Sequence, residues 1–504
     1  MVNSHSGALA LVPMPKSPPS HSAVTLDGHS LTIADVVAVA RKAAQVAIDP
    51  KALAAVKASR QAVEAAVERG QTIYGVNTGF GKLAHVRIPP EQARQLQLNL
   101  IRSHASGVGE PLPVDAVRAM MVLRANVLLR GTSGVRPLIP ELLVEMLNRK
   151  LHPTVPSQGS VGASGDLAPL SHLALAMIGE GDVQVSKPVT LEAKEGLAFV
   201  NGTQAQTGLA ALLVSDGWTL WRAAHAAAAM SLEAVRGSPD PFEARIHDAR
   251  PHRWQRDSAA LLRDLLADSE IRESHRQNDP RVQDAYSLRC TPQVLGAVGE
   301  GLAFAEQLVT TELNAATDNP LVFGDDIVSG GNFHGQPIAL ALDVLGIALT
   351  TLAGLSERRL ERVVNPDLSS GLPAFLAHDP GLESGFMIAQ IAAAALVADC
   401  RILATPASVQ SVPTEGNQED VVPMGMSAAW KAGRILANAE RIVAIELLAG
   451  AQGLEYLKPL RPAKAVGRIH DVVRQDSAVL AADRPLTVDI EKVAVRIRAG
   501  GFGS

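Results

Sequence analysis

A glycine- and serine-rich stretch, QGSVGASGDLAPLSH at residues 158–172, interrupts a sequence otherwise rich in alanine and leucine. Its triplet Ala163-Ser164-Gly165 has the residue types for a backbone reaction. The nitrogen of Gly165, unhindered by a side chain, can fold back onto the carbonyl of Ala163, because glycine makes such a tight backbone accessible. If this attack closes a five-membered ring and the Ser164 side chain also loses water, the product is a methylidene electrophile.

The same stretch also has a purely structural interpretation. Asp166 can cap the helix predicted for the following residues, and Pro169 suits its first turn. The glycine spacing does not match the dinucleotide-binding or phosphate-binding loops, and Ser164 does not occupy a G-x-S-x-G turn. The sequence also lacks H-E-x-x-H and paired cysteines, so it predicts no metal site. Taken alone, the stretch favours a capped turn.

Further segments change this interpretation. The stretch TVPSQGSVGASGDLAPLSH resembles the signature of the aromatic amino acid ammonia-lyases, in which Ala-Ser-Gly cyclises to 4-methylideneimidazol-5-one (MIO). Six other segments match in the family's order: YGVNTGFG (74–81), LQLNLIRSHASGVG (96–109), NGTQA (201–205), QDAYSLRC (283–290), GGNFHGQP (330–337) and GNQED (416–420).

The resemblance covers most of the chain and implies both a fold and a chemistry. The fold would be mainly α, of the ammonia-lyase/fumarase-like type, with a long central helical bundle and a smaller, loop-rich N-terminal part. The enzyme would be a homotetramer whose active sites draw on more than one subunit. It would use MIO formed from Ala163, Ser164 and Gly165, with no metal and no nucleotide.

The resemblance also implies roles for the reacting groups. The methylidene carbon derived from Ser164 would accept the substrate amine, and Tyr74 would remove the β-proton, while Tyr286 would lie close to the ring or the substrate. Since the ordinary pKa of tyrosine is about 10, positive or hydrogen-bonding surroundings must favour the phenolate of Tyr74. The structural alternative for Tyr74 is a core aromatic with a satisfied hydroxyl.

Four more residues would bind substrate or ring. Arg289 would hold the carboxylate through two parallel hydrogen bonds, which suits its planar guanidinium. The amides of Asn201 and Gln283 would donate to the ring oxygen and the carboxylate. Phe333 would form an apolar wall. The structural alternatives are a surface ion pair for Arg289, backbone capping for the two amides and core packing for Phe333.

Two residues bear on the substrate. His104 matches the histidine of the histidine- and tyrosine-specific members, and Glu419 is absent from the Asn-Gln-Asp motif of the phenylalanine and tyrosine enzymes. A carboxylate suits an imidazole, which donates N–H, but would be unpaired against phenyl. The resemblance therefore implies conversion of L-histidine to trans-urocanate and ammonia.

Two departures keep other functions open. Val421 and Pro423 stand where histidine and serine are common in the histidine-specific pattern. A tyrosine ammonia-lyase or 2,3-aminomutase, or one acting on another aromatic amino acid, is therefore the alternative. A non-catalytic helical assembly is the more distant one.

Composition narrows the possible partners. A net charge of −5 gives no basic face for nucleic acid. The two cysteines, Cys290 and Cys400, are too few for a disulfide framework and favour the cytoplasm. Because the sequence contains no unbroken apolar run of about 18 residues, we expect a soluble protein without a membrane segment. The family resemblance implies that its partner is a small-molecule amino acid substrate.

The apolar periodicity predicts mostly helices. We expect a flexible tail (1–23), an N-terminal part carrying the MIO loop and Tyr74 (24–215), and a central and C-terminal bundle (216–504), together one catalytic unit. The stretch 384–404 is apolar on several faces, which favours a homo-oligomer. Strands are predicted at 24–28 and 196–200, and helices at 33–69, 90–106, 114–148, 205–235, 290–316, 336–364, 384–404 and 426–457.

Overall fold

The computed structural model describes residues 23–162 and 167–502. The triplet Ala163-Ser164-Gly165 and the predicted cap Asp166 lie outside the described residues, as does the predicted tail apart from Ala23. The flanking residues Gly162 and Leu167 are described.

The N-terminal part combines helices with two small two-stranded sheets. Strands β1 and β2 are parallel, and β3 and β4 are antiparallel. Up to residue 200 the described chain forms β1 Ala23–Leu26, α1 Ile33–Lys42, β2 Gln45–Ile48, α2 Pro50–Glu68, α3 Ala93–His104, β3 Val108–Pro111, α4 Val114–Leu129, α5 Leu138–Asn148, β4 Pro156–Gln158, α6 Leu167–Met177 and α7 Glu195–Val200.

The remainder is almost entirely helical. Strands β5 and β6 form an antiparallel hairpin. From residue 201 the described chain forms α8 Gln204–Ala234, α9 Ala244–Asp248, α10 Arg253–Leu265, α11 Glu270–Ser274, α12 Tyr286–Arg289, α13 Thr291–Glu312, β5 Leu321–Phe323, β6 Asp326–Val328, α14 Gln336–Val364, α15 Met387–Leu403, α16 Gly425–Glu455, α17 Lys464–Asp476 and α18 Thr487–Arg498.

The long helices α8, α13, α14 and α16 pack together as the centre of the molecule. Helix α8 is buried along nearly its whole length, because its alanine-, leucine- and tryptophan-rich sequence has almost no polar face. Between α14 and α16, Arg359 and Glu446 form a fully buried ion pair, with Nη2 2.8 Å from Oε2. The predicted mainly α fold with a long central bundle is confirmed.

The sequence prediction was wrong at 196–200, which forms α7 rather than a strand. The short apolar run does not distinguish a buried helix from a buried strand. The start of α7 is held by the Glu195 carboxylate, which accepts from the backbone nitrogens of the nearby Glu192 (2.9 Å) and of Arg136 (3.0 Å), a residue distant in sequence.

Two predicted helical stretches are also interrupted. In 33–69, Ala43 adopts a left-handed conformation (φ 52°), and β2 follows before Asp49 caps α2 with Pro50 in the first turn. In 114–148, the Gly- and Pro-containing segment 130–137 separates α4 from α5.

Helix α14 is, within the described ranges, the one helix long and apolar enough by length and composition to cross a membrane. However, 61% of its most apolar 18-residue stretch is buried inside the protein. That stretch is interrupted by Asp343, whose carboxylate accepts from the backbone nitrogens of Ala407 (3.0 Å) and Ser408 (2.7 Å). These features are typical of a core bundle helix.

The proposed boundary between residues 215 and 216 falls inside α8, which is continuous there. The two parts therefore share one helix, and their division remains a prediction.

Candidate functional site

A cavity forms where α3, α7 and several loops meet near the start of α8. Four residues predicted from the sequence line it together: Tyr74, His104, Asn201 and Phe333. The cavity is completed by Phe80, Leu100, Leu167, Leu197, Asn319 and Glu415.

Tyr74 lies in the loop after α2, half-buried against Phe80 with the two rings edge to face. Its hydroxyl oxygen accepts a hydrogen bond from the Gly81 nitrogen at 3.0 Å. Burial and the negative charges of Glu415 and Glu419 nevertheless raise its pKa, against the stabilising effect of that hydrogen bond. The expectation that its surroundings favour the phenolate is therefore not met by the described part of one chain.

Glu415 is a cavity residue that the sequence reasoning missed. It begins three successive residues with positive φ, Glu415 (50°), Gly416 (61°) and Asn417 (64°). A β-carbon on Gly81 would lie 1.7 Å from a Glu415 carboxylate oxygen, so the two residues are in close contact. Burial and the neighbouring Glu419 raise the pKa of the Glu415 carboxyl. Its position directly before the GNQED motif was the available signal.

His104 ends α3 and is oriented by its own helix. Its Nδ1 lies 2.8 Å from the Leu100 carbonyl oxygen, and only a protonated Nδ1 can donate there. Burial lowers the His104 pKa, against the opposing effects of that hydrogen bond and of Glu419. A neutral ring with Nδ1–H leaves Nε2 as an acceptor for a substrate N–H.

Glu419 is not among the described residues that line the cavity, but it lies near enough to act on two that do. The hydroxyl of Thr414 donates to its Oε2 at 2.5 Å, and the backbones of these residues form an antiparallel bridge. Its charge affects the pKa of both His104 and Tyr74. The Glu419 carboxylate is thus near enough to His104 for its charge to oppose the lowering of the His104 pKa.

Asn201 follows α7 and is only 2% exposed. Its amide nitrogen donates to Asp318 Oδ1 (3.3 Å) and to the Asn319 carbonyl (3.1 Å). Its Oδ1 has no hydrogen-bond partner among the described residues. Both amide hydrogens are therefore engaged, so the predicted donation to the ring oxygen would require Asn201 to give up one of these two hydrogen bonds.

Gln283, Tyr286 and Arg289 are not among the described residues that line the cavity. Tyr286 is 71% exposed, with the Arg289 guanidinium 4.7 Å from its ring centroid, and Gln283 is also exposed. The segment is attached beyond the C-terminal end of α8, where Asp284 accepts from the Ser238 nitrogen at 2.6 Å.

The length of α8 separates these groups from the cavity. Asn201 precedes the helix, Ser238 follows it, and its 31 residues span about 45 Å at 1.5 Å per residue. Within one chain, Tyr286 and Arg289 therefore lie far from Asn201 and Tyr74. One chain brings together only part of the predicted site.

The residues around the triplet fit a reactive loop. Gly162 has φ +73°, and a β-carbon there would lie 2.8 Å from the Gly425 nitrogen, so glycine permits this close approach. Next to it, the Met424 nitrogen donates to the Val161 carbonyl at 2.7 Å. On the other side of the triplet, Leu167 lines the cavity. Within the described ranges, no group of three or more His, Cys, Asp or Glu could hold a metal ion.

Comparison with known proteins identifies the family. The family model described as "Aromatic amino acid lyase" matches residues 31–475. The histidine ammonia-lyase of Koribacter versatilis (strain Ellin345) is 50% identical over 95% of this chain and 98% of that protein. That of Geobacillus thermodenitrificans (strain NG80-2) is 47% identical over 95% of this chain and 100% of that protein.

Solved structures share the fold. The tyrosine aminomutase from Streptomyces globisporus has a TM-score of 0.91 and 42% identity, covering 95% of this chain and 97% of its own. The histidine ammonia-lyase from Trypanosoma cruzi has a TM-score of 0.88 and 43% identity, covering 95% and 94%. This chain belongs to the aromatic amino acid lyase family.

Proposed function

We propose that this carbon–nitrogen lyase deaminates L-histidine to trans-urocanate and ammonia. The placement of Glu419 beside His104 carries the proposal. With Nδ1–H donated to the Leu100 carbonyl, a neutral His104 would offer Nε2 as an acceptor, and the Glu419 carboxylate would pair with an imidazole that donates N–H or carries charge. The curated relatives at 50% identity carry the name of this activity.

MIO formed from Ala163, Ser164 and Gly165 would supply an electrophile that takes up the substrate amine and makes it a better leaving group. Gly162 and Leu167 support this cofactor, since the triplet lies between a tightly packed glycine and a cavity-lining residue. Tyr74 would remove the β-proton, Phe333 would bound the cavity, and Asn201 would contact substrate or ring.

The complete site would require another copy of the chain. Tyr286, Arg289 and Gln283 lie beyond the far end of α8 from the cavity, so they would act in the cavity of a neighbouring subunit. Arg289 would then hold the substrate carboxylate and bring the positive charge that the Tyr74 phenolate needs. We propose a homotetramer with shared active sites.

A cytoplasmic location is part of the proposal. Cys290 and Cys400 are both free, and Cys400 is buried. Burial raises the pKa of the Cys400 thiol to about 11, which keeps it unreactive.

Incubation with single amino acids tests the substrate. The purified protein is given L-histidine, L-tyrosine or L-phenylalanine, and acrylate products are followed by ultraviolet absorbance and chromatography. We expect urocanate from histidine alone at an appreciable rate. A protein that makes no urocanate but forms coumarate or β-tyrosine from tyrosine is the rival lyase or aminomutase.

The mass of the intact protein tests the cofactor. The mature chain should be lighter than its translated sequence by two waters, and Ser164→Ala should prevent this loss and abolish turnover, since no methylidene can form. An unchanged mass in the unaltered protein, or full activity of Ser164→Ala, contradicts the proposed cofactor.

A further inference from the structure

An ion pair sealed from solvent lies directly behind Asn201. Lys194 Nζ is 2.8 Å from Asp318 Oδ2, and both side chains are completely buried. Burying such a pair costs several kcal/mol of desolvation per ion, which its attraction only partly offsets. The pair therefore needs an explanation beyond stability.

Asp318 determines the direction of the Asn201 amide. One carboxylate oxygen accepts from Asn201 Nδ2 (3.3 Å) and from the Asn319 nitrogen (2.7 Å), and the other accepts from Lys194. Because an ionised carboxylate only accepts, it selects the NH₂ end of the Asn201 amide. The amide oxygen, which has no partner among the described residues, is then directed away from Asp318.

The same segment anchors a second wall of the cavity. Asn319 lines the cavity, and its Oδ1 accepts from the Gly330 nitrogen at 2.8 Å. Gly330 begins the loop that carries Phe333 to the cavity. Asp318 and its neighbour thus fix both Asn201 and the Phe333 loop.

A third buried charge completes the cluster. Arg124 is fully buried and donates to the Asn201 carbonyl (3.0 Å) and to Gln204 Oε1 (2.7 Å). Burial lowers the pKa of both Arg124 and Lys194, and Asp318 opposes this for each. Neutralising Asp318 would leave two cations directly behind Asn201 without their common counter-ion.

We propose that Lys194 and Asp318 are positioning residues for the reaction, which orient the Asn201 amide toward the reacting groups. The inference rests on the proposed function, because its effect is measured on turnover of L-histidine.

Single and double variants test the role. Asp318→Asn keeps the shape of the side chain but presents Asn201 with either a donor or an acceptor. Lys194→Met keeps much of the length of the lysine side chain and removes its charge. We expect kcat to fall roughly tenfold or more in Asp318→Asn while KM changes less than about threefold, since a misdirected Asn201 amide disturbs the placement of the reacting groups more than the binding of substrate. The double variant should regain much of the thermal stability lost in the single variants, but not kcat.

The bundle provides a matched control. Arg359 and Glu446 are equally buried, but neither is among the described residues lining the cavity. The double variant Arg359→Met/Glu446→Gln should change the melting temperature yet keep kcat within about twofold, because the disturbed pair does not contact Asn201 or the other described residues lining the cavity. Each kcat is calculated from the concentration of protein whose mass is lower by two waters. Incomplete cofactor formation is then not mistaken for a misdirected Asn201 amide.

A double-mutant cycle between Asp318 and Asn201 distinguishes a positioning role from a purely structural one. If Asp318 acts through Asn201, adding Asp318→Asn to Asn201→Ala should lower kcat by less than about threefold further. Should the single variants not accumulate as folded protein, the double variant Lys194→Met/Asp318→Asn supplies the comparison.

The two proposals fail in different ways. If the unaltered enzyme makes no urocanate, the proposed function is wrong. If it does, but Lys194→Met/Asp318→Asn retains kcat within twofold, or loses no more than the Arg359/Glu446 control, the positioning role is overturned.

Discussion

Tyr74 lies near two carboxylates, an unfavourable environment for a group that must act as a base. Burial and the charges of Glu415 and Glu419 raise its pKa, and the Gly81 N–H only partly compensates. The described part of one chain therefore favours the protonated phenol over the phenolate. The proposed approach of Arg289 from another subunit would supply the missing positive charge.

Removing one of these carboxylates should move the pH profile. Glu415→Gln eliminates a negative charge near Tyr74, so the Tyr74 pKa should fall and the rising limb of kcat/KM against pH should shift to lower pH. The profile is measured with L-histidine, and Tyr74→Phe serves as the inactive control. A rising limb that stays in place or shifts to higher pH contradicts the assignment.

Glu419 should determine the handling of histidine. Glu419→Gln keeps the side-chain size but removes a charged acceptor, a loss of about 1.5–3 kcal/mol for such a hydrogen bond, or roughly ten- to a hundredfold in kcat/KM. The melting temperature should change little, because Thr414 can still donate to the amide oxygen. Full activity with L-histidine in this variant refutes the role.

At the scale of elements, the turn at Gly81 contacts both Tyr74 and Glu415. Gly81 has φ +50° and little room for a β-carbon, since Glu415 occupies that space. Its N–H also holds the Tyr74 hydroxyl. One glycine therefore sets the separation of the proposed base from the carboxylate beside it.

Gly81→Ala should damage activity more than stability. The added methyl must displace the Glu415 side chain, which changes the surroundings of Tyr74, so we expect kcat to fall roughly tenfold. Gly70→Ala is the matched control, because Gly70 has a similar φ of +69° but nothing within 4 Å of the added carbon. Equal loss of kcat in both variants would show that backbone strain alone is responsible.

Near the end of α8, Glu233 should make stability depend on pH. Burial raises its pKa from 4.5 to about 7, although its carboxylate accepts from the Ala463 nitrogen at 3.1 Å. The folded state thus binds this proton more tightly than the unfolded state, and its contribution to stability falls as pH rises from 4.5 to 7. The slope is at most about 1.4 kcal/mol per pH unit.

Glu233→Gln tests this assignment. The variant cannot ionise, so its melting temperature should exceed that of the unaltered protein at pH 8 by more than it does at pH 5. Glu300→Gln, on an exposed face of α13, is the control. Its melting temperature should differ from that of the unaltered protein by the same amount at pH 5 and at pH 8. A Glu233→Gln variant with the same pH dependence as the unaltered protein would contradict the raised pKa.

The elements also show what the sequence could predict. Long buried helices such as α8 and α14 produce extended apolar runs and were found nearly to the residue. Short elements were not found as reliably. The start of α7, for example, is held by a hydrogen bond from the backbone of Arg136 to Glu195, which the apolar pattern of α7 does not reveal. Tyr74, His104, Asn201 and Phe333, which the family motifs singled out, line one cavity, and their roles remain predictions. Glu415 reaches the same cavity through a loop of residues with positive φ that no periodicity reveals.

At the scale of the whole molecule, an uncovered apolar stripe supports assembly. On α15, Ile388, Ile391, Ala395 and Ile402 are exposed and share one face of the helix. Leu340 and Ile347 on α14 are exposed as well. The sequence predicted that this helix is apolar on several faces. The spacing of residues along one chain does not reveal the proposed contribution of Tyr286 and Arg289 to the site of another copy.

Mixed oligomers should show that the active site draws on two copies. Tyr74→Phe and Arg289→Met should each be nearly inactive alone, yet their co-expression should restore activity. If a site takes Tyr74 from one copy and Arg289 from another, random mixing at equal amounts gives both intact residues in about a quarter of the sites. If both residues come from one chain, no site is intact and the mixture stays inactive.

A second mixture distinguishes the same two arrangements by a different ratio. The double variant Tyr74→Phe/Arg289→Met mixed equally with the unaltered chain should give about a quarter of full activity for a site shared between copies, but about half for a site within one chain. Activity per oligomer is measured with L-histidine after separation by size, so free subunits do not contribute. About a quarter of full activity in each of the two mixtures would together support the proposal that Arg289 acts in the cavity of a neighbouring subunit.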